Sequence, residues 1–468
     1  MNKLVGRSRE MNILLEEYQK EKSSMMVIMG RDGIGKKRLI REFIKENNIN
    51  PLFFSSVGEN DKANRDLFKQ AMLEYTGLPC LSETDLEWDV ILKCFLGSKD
   101  YQKRVIVING LDNLLKANTQ FLVELQSTWE GFIKERNVLF ILMGELSLSS
   151  KYLISDMFDK ILTLNPLPFE CYQEFYPEKT HGELLEIFSY TGGIPLYMEL
   201  FENRSIEETI KETVLNRNNI FFDKPINYLN SRLRHTISTH LTVLRLVSMN
   251  YLTPGEIKEI SKKGPQEVIK AVEELIDLNV LTKENPAYDL SMIKSKFVIY
   301  RFTNPFFKLW FKLNYNHRLL LDLHEEEKIY PYYKEGYLND MIESGYNMIC
   351  YQILEKMRLN KELSFDSIGK LYDDELQIDI VAINKKTKEI IIGDTSLTDH
   401  VKNLEDLEDL VKFKKSVVQR KFKDYTINTF IMFSETGFTE EMQKKARKYL
   451  KTILVDTRKF GERSEIGV

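Results

Sequence analysis

The stretch from residue 25 to residue 47 constrains this chain more than any other. An apolar run, MMVIM at 25–29, leads directly into GRDGIGKK and on into the amphipathic KKRLIREFIKEN. Gly30, Gly35 and Lys36 stand at the spacing G-x4-G-K, between what reads as a strand and what reads as a helix. Such a loop holds phosphate because glycines let backbone N–H groups converge, the helix N-terminus adds a positive dipole end, and the lysine reaches the outer phosphate oxygens. It requires a sheet around it. Five β-rich runs separated by helical patterns supply one: MMVIM, PLFFSS at 51–56, RVIVIN at 104–109, VLFILMG at 138–144 and KILTLNPL at 160–167. Runs apolar at nearly every position belong to parallel strands covered on both faces. Residues 1–168 are therefore expected to form an α/β core of the P-loop NTPase type.

The loop has lost part of its chemistry. Position 37 is Lys where the motif places the Ser or Thr hydroxyl that ligates Mg²⁺. The strand RVIVING should end in an Asp for the metal and a Glu to activate water, and those places read Asn109 and Gly110. Asn109 can hydrogen-bond a metal-bound water but brings no charge, and Gly110 brings no base. Asp112, two residues on, is the one displaced substitute. Asp32 sets a like charge toward the phosphates, offset in part by Arg31 beside it. The phosphate clamp, Gly30, Arg31, Asp32, Gly33, Ile34, Gly35, Lys36 and Lys37, thus outlasts the metal and the base, and hydrolysis needs all three.

At 468 residues the chain has room for about three domains. Hydrophobic residues at 43% and charged residues at 29% exclude wholesale disorder. A net charge of −4 argues against a surface coated in basic residues, so any nucleic-acid contact must be a local patch. Cys80, Cys94, Cys171 and Cys350 are too scattered for a disulfide scaffold or a CxxC metal site. With no bilayer-length apolar stretch and a polar start, MNKLVGRSRE, the expected location is the cytoplasm, with no membrane partner.

Beyond the core, a helical lid is expected over 169–232, punctuated by TGGIP at 191–195. Residues 233–318 read as three helices and a two-stranded wing, a winged helix-turn-helix, with Thr253 and Pro254 opening one helix and Gly264 and Pro265 the next. The aromatic FFKLWFKLNY at 306–315 is expected to be buried. A linker over 319–340 leads to a third, mixed α/β unit over 341–468: a helix, strands ELQIDIVAIN and KEIIIGDTSL around the turn KKTK, then alternating helices and strands ending in ILVD.

This order of parts resembles the archaeal-type P-loop ATPases of the STAND/AAA+ lineage that carry a winged helix and a C-terminal nuclease-like domain. LVGRSREMNILLEEY resembles that family's opening box, which implies that Gly6 and Arg7 lie near the adenine. NPLPFECYQEFYP resembles the passage from sheet to lid, and GGIPLYMELF the lid motif whose Pro195 would contact the base. FILMGELSLSS resembles the sensor strand, with Glu145 where a small polar residue is expected. The last part is similar to PD-(D/E)xK nucleases, of restriction-endonuclease-like fold. The resemblance implies a metal pair at Asp379 and Asp394, a lysine at what is here Ser396, and an upstream helical acid near Asn347, for which Glu343 is a poor substitute. Two carboxylates would support weak metal binding at best. The plainer reading makes both of them strand-end residues without catalytic duty.

Over 265–280, the helix that would read DNA carries one basic residue, Lys270, against Glu267, Glu273, Glu274 and Asp277, which repels phosphate. A basic edge exists in Lys262, Lys263, Lys294, Lys296 and Arg301, and residues 236–318 hold twelve basic against eight acidic residues. Packing or a protein partner is the expectation for this domain, with DNA contact the weaker one. His181 and His400 have no ligand-spaced partners and are expected at the surface or at caps. The leading expectation is a nucleotide-responsive switch or scaffold, a pseudoenzyme that binds ATP or ADP, does not depend on Mg²⁺, and hydrolyses poorly. The alternatives are an active ATPase using Asp112 or a partner's residues, and a DNA-processing factor using the winged helix and the Asp379/Asp394 pair.

Overall fold

The computed structural model describes residues 4–77, 85–97, 103–145, 157–233, 237–284, 298–372, 377–446 and 451–460. Two compact units make up the chain. The first comprises Met1–Leu167 with Ile194–Leu196, and the second comprises Pro168–Gly193 with Tyr197–Val468.

In the first unit five strands form one parallel sheet: β1 (Ser24–Met29), β2 (Leu52–Ser55), β3 (Arg104–Asn109), β4 (Val138–Gly144) and β5 (Lys160–Thr163), in the order β2-β3-β4-β1-β5. Every residue of β1 and β4 is buried, the burial that uninterrupted apolar runs demand when helices cover both faces. On one face Met25, Val27, Ile106, Ile108, Phe140 and Leu142 pack with Phe54, Phe68 and Trp88. Phe68 and Trp88 are 5.4 Å apart between ring centroids, a tilted pair that adds to area burial. Because β4 separates β3 from β1, the ends of β3 and β4 stand beside the loop that follows β1.

The second unit opens with the short helical turns Phe169–Cys171 and Tyr172–Phe175, followed by the helix His181–Thr191, capped by a reciprocal Thr180–Glu183 box. The winged helix-turn-helix follows as the helices Ser238–Ser248, Pro254–Ser261 and Pro265–Asp277 and the antiparallel pair β6 (Leu281–Glu284) and β7 (Ile299–Phe302). Thr253 forms a capping box with Glu256, so the sequence cue at Thr253–Pro254 has a defined hydrogen-bonding basis. Lys294 and Lys296 of the wing lie outside the described residues, as do Cys80 and the sensor stretch after Glu145. The aromatic segment forms the helix Pro305–Leu313 with Phe306, Phe307, Trp310 and Phe311 buried. Trp310 Nε1 donates to the Phe222 carbonyl at 2.6 Å, and Phe306 stacks on Tyr197 at 4.1 Å. Residues 319–340, read as a linker, are largely helical, including Arg318–Asp322 and Tyr330–Lys334.

The helix Asn339–Leu359 then leads into a five-stranded mixed sheet: β8 (Ser367–Tyr372), β9 (Gln377–Asn384), β10 (Glu389–Asp394), β11 (Thr426–Ser434) and β12 (Thr452–Asp456), ordered β12-β11-β10-β9-β8. β8, β9 and β10 run antiparallel in succession, and β10, β11 and β12 run parallel. Strand β8 has no counterpart among the strands that the sequence predicts. The KKTK turn forms because Asn384 Oδ1 accepts the backbone N–H groups of Lys386 and Thr387, each at 3.0 Å.

Within this unit, Gly345 lets the helix Asn339–Leu359 touch the helix His181–Thr191. A methyl group on Gly345 would fall 2.0 Å from Ser189 Oγ and 2.9 Å from its Cα, so backbone as well as side chain must shift. Gly345→Ala is expected to destabilise the unit by about 2–3 kcal/mol, read as a lower denaturation midpoint. A neutral result would mean that the two helices part freely.

Candidate nucleotide site and C-terminal carboxylate cluster

The helix Lys36–Glu46 starts at Gly35 immediately beyond β1 and the loop 30–35, so its free N–H groups face the loop. Lys36 Nζ donates to the carbonyls of Gly30 at 2.5 Å and Arg31 at 3.0 Å, an ammonium folded across its own loop where phosphate oxygens would compete for it. Lys37 is exposed on the first turn of the helix. Arg31, Asp32 and Ile34 complete the loop, with Asp32 exposed and Ile34 buried.

Two contacts brace this loop. Arg7 is buried, and its guanidinium donates to the Ile34 carbonyl at 3.3 Å, to the Asn165 carbonyl just past β5 at 2.8 Å, and to Glu10 Oε1 at 3.1 Å. Arg7 ties the loop to the sheet. From the other side Leu196 N donates to the Gly33 carbonyl at 3.1 Å. Gly33 has φ +76, and a Cβ there would sit 2.7 Å from Leu196 Cβ, so only glycine allows the approach. Pro195 stands beside Gly35, its Cγ 3.9 Å from where a Cβ of Gly35 would be.

At the end of β3 the chain passes through a left-handed glycine. Gly110 has φ +88, and a Cβ there would lie 2.4 Å from Ser56 Oγ, which donates to the Gly110 carbonyl at 2.6 Å. Ser56 fills the place through which a glutamate side chain would have to leave the backbone. Asn109 Nδ2 donates to Ser55 Oγ at 3.4 Å. Asp112 begins the helix Leu111–Ala117, and its Oδ1 accepts the Glu145 backbone N–H at 3.2 Å, so this carboxylate also secures the exit of β4. The residues at 37, 109 and 110 therefore offer an ammonium, an amide and no side chain, a set that lacks the hydroxyl and carboxylate through which a protein usually anchors the octahedral, largely water and phosphate, shell of Mg²⁺. The phosphate cradle, by contrast, fits a nucleotide polyphosphate.

In the C-terminal sheet β9 and β10 bring Asp379 and Asp394 to one end, as their strand positions imply. Their surroundings differ. Asp394 is buried; its Oδ2 accepts Lys402 Nζ at 2.5 Å and Ser396 Oγ at 2.6 Å, and its Oδ1 accepts Lys414 Nζ at 2.6 Å. Burial opposes its ionisation, but the two ammonium groups outweigh burial and hold the carboxyl well below the usual carboxylate range. Asp379 is half-buried and accepts from Gln377 Nε2 at 3.1 Å and Thr395 N at 3.4 Å. Asn347 faces Thr395, whose hydroxyl donates to its side-chain oxygen. Lys402 and Lys414 were missed by sequence reasoning. Lys402 lies on an irregular segment, and Lys414 closes a π-helical turn, Leu410–Lys414, that breaks the periodicity from which its facing could be read.

On the winged helix, the acids of Pro265–Asp277 are partly consumed within the domain. Glu267 accepts the Thr239 hydroxyl, Glu274 meets His240 Nε2 at 2.7 Å, and Lys263 and Lys270 stand 3.7 and 4.0 Å from Glu267 and Glu274. Glu273 and Asp277 are exposed. On the wing Arg301 is paired with Glu284, while Lys283 of β6 and Lys262 ahead of the helix are exposed basic residues. His181 Nε2 lies 3.1 Å from Glu435, and His400 lies 3.7 Å from Asp406.

The fold and loop define a P-loop ATPase-like protein with a winged helix and a further mixed sheet. Residues 4–201 match a family of ATPase domains predominantly from Archaea, and residues 310–407 match a family of archaeal and bacterial proteins of unknown function. An uncharacterized protein of Methanocaldococcus jannaschii is 24% identical over 408 residues, 84% of this chain and 88% of that one. Among solved structures, a Walker-type ATPase of Pyrococcus abyssi aligns at 14% identity and TM-score 0.49 over 66% of this chain and 96% of its own. The Orc1 protein of Aeropyrum pernix, solved in complex with DNA, aligns at 13% identity and TM-score 0.35 over 66% and 92%. No helix among the described residues is long and apolar enough to cross a membrane.

Proposed function

We propose that this protein is a nucleotide-responsive switch or scaffold that binds ATP or ADP without requiring Mg²⁺ and turns ATP over slowly or not at all. The observation that carries the reading is the closure of position 110: a left-handed glycine whose side-chain space is taken by Ser56 Oγ, at the point where a base would activate water. Lys37 adds a cation where a metal ligand would stand, so the triphosphate charge is met by ammonium groups and the helix N-terminus. Binding would displace the Gly30 and Arg31 carbonyls from Lys36 and reposition the loop. Leu196 grips that loop at Gly33, and the backbone continues from Leu196 into Tyr197 and the rest of the chain, so a loop movement has a covalent route outward. The acidic outer face of Pro265–Asp277 suits a protein partner better than DNA.

Isothermal titration with ATP and with ADP, each in Mg²⁺ and in EDTA, tests the reading. The dissociation constants are expected to agree within about threefold between the two conditions, because no protein oxygen anion recruits the metal. Phosphate release near about one per second, abolished by Lys36→Ala, would overturn the switch and restore an active ATPase that uses Asp112.

A further inference from the structure

We infer that the Asp379/Asp394 end of the C-terminal sheet is an internal ammonium lock closed to divalent metals, and hence that this domain does no metal-dependent phosphodiester chemistry. A metal ion held by Asp394 needs a free carboxylate lone pair directed at it. Each oxygen already accepts an ammonium group: Lys402, with the Ser396 hydroxyl, donates to Oδ2 at 2.5 and 2.6 Å, and Lys414 donates to Oδ1 at 2.6 Å, so the lone pair left on Oδ1 lies beside a positive charge. The side chains of Lys402, Asp394 and Lys414 are 0%, 7% and 12% exposed, so these are desolvated partners rather than passing surface contacts. Two buried positive charges beside the carboxylate repel an incoming dication. Displacing them would strand at least one ammonium group in a low-dielectric site, which costs several kcal/mol. Asp379, half-buried and accepting Gln377 and the Thr395 backbone, would by itself offer a metal one carboxylate, and the Asn347 side chain beside it is engaged by the Thr395 hydroxyl. No group of three or more His, Cys, Asp or Glu side chains able to hold a metal occurs among the described residues.

The arrangement has a positive task instead. Lys402 begins the return from the segment after β10, bridging to Phe438, and Lys414 ends the π-helical turn. Through Asp394 both are fastened to β10, so one carboxylate sets the position of two segments that have no strand pairing with it.

The test is a thermal-melt and calorimetric titration of the full chain, free of nucleotide, with Mn²⁺ and Mg²⁺. Wild type is expected to show no shift that depends on Asp394. Lys414→Met removes the less buried ammonium and frees Oδ1. This variant is expected to gain a Mn²⁺-dependent rise in midpoint of about 4 °C at roughly ten times the dissociation constant, lost again in Lys414→Met with Asp394→Asn. Should Lys414→Met melt too low to titrate, Lys414→Gln serves, keeping a neutral donor with a shorter reach. Mn²⁺ binding by wild type that disappears in Asp394→Asn overturns the inference, as does a Lys414 variant as indifferent to Mn²⁺ as its parent.

Discussion

Asp394→Ala is expected to cost the C-terminal sheet about 3–5 kcal/mol, because it leaves the buried ammonium groups of Lys402 and Lys414 without their counter-charge. Slowed exchange of the β10 and β11 backbone amides would be lost in the variant, and the fall in protection measures the effect site by site. Asp379→Ala provides the contrast. That carboxylate is half-buried and accepts from neutral donors, so its loss should cost only about 1 kcal/mol. Equal losses from the two substitutions would contradict a lock centred on Asp394. The pH dependence has a definite sign. The folded carboxyl of Asp394 titrates well below the ordinary value, so its contribution is fully present above the unfolded value near about pH 4 and is lost as pH falls from there toward the folded one. Wild type and Asp394→Ala should therefore differ most at neutral pH and converge in acid.

Lys36→Ala is expected to weaken ATP binding by about 100-fold, near 3 kcal/mol, because a charge-assisted contact to phosphate is removed from a loop whose other donors are backbone N–H groups. Lys37→Ala, at an exposed position on the first turn, should cost about tenfold or less. Both are read by titration at constant ionic strength. Lys36→Ala also frees the Gly30 and Arg31 carbonyls, so its melting temperature without nucleotide separates loss of a ligand contact from loss of loop order. Retained affinity in Lys36→Ala would mean that the loop is an architectural remnant.

The five strands of the first sheet could be located because each is a largely apolar run; burial on both faces accounts for the central β1, β3 and β4, whereas the edge strands β2 and β5 keep exposed positions. Strand β8 escaped for the opposite reason: SIGKLY mixes Ser, Gly and Lys into a short strand paired on one side only. Segment 319–340 looked like a connection because its helices are only a few residues long, too short for a period to emerge. The strand–loop–helix at the end of β1 was legible through Gly30, Gly35 and Lys36, whose spacing is local. Its braces were not, since Arg7 reaches Asn165 and Leu196 reaches Gly33 across large separations in the chain.

The linear order of residues settled which chemical groups the loop after β1 retains and which it lacks, because a phosphate cradle is made by neighbours along one strand, one turn and one helix. The closing of position 110 by Ser56 and the capture of Asp394 by Lys402 and Lys414 came only with tertiary structure. Both depend on side chains from separate segments meeting in space, and charge pairing and steric exclusion act over ångströms, not over sequence distance.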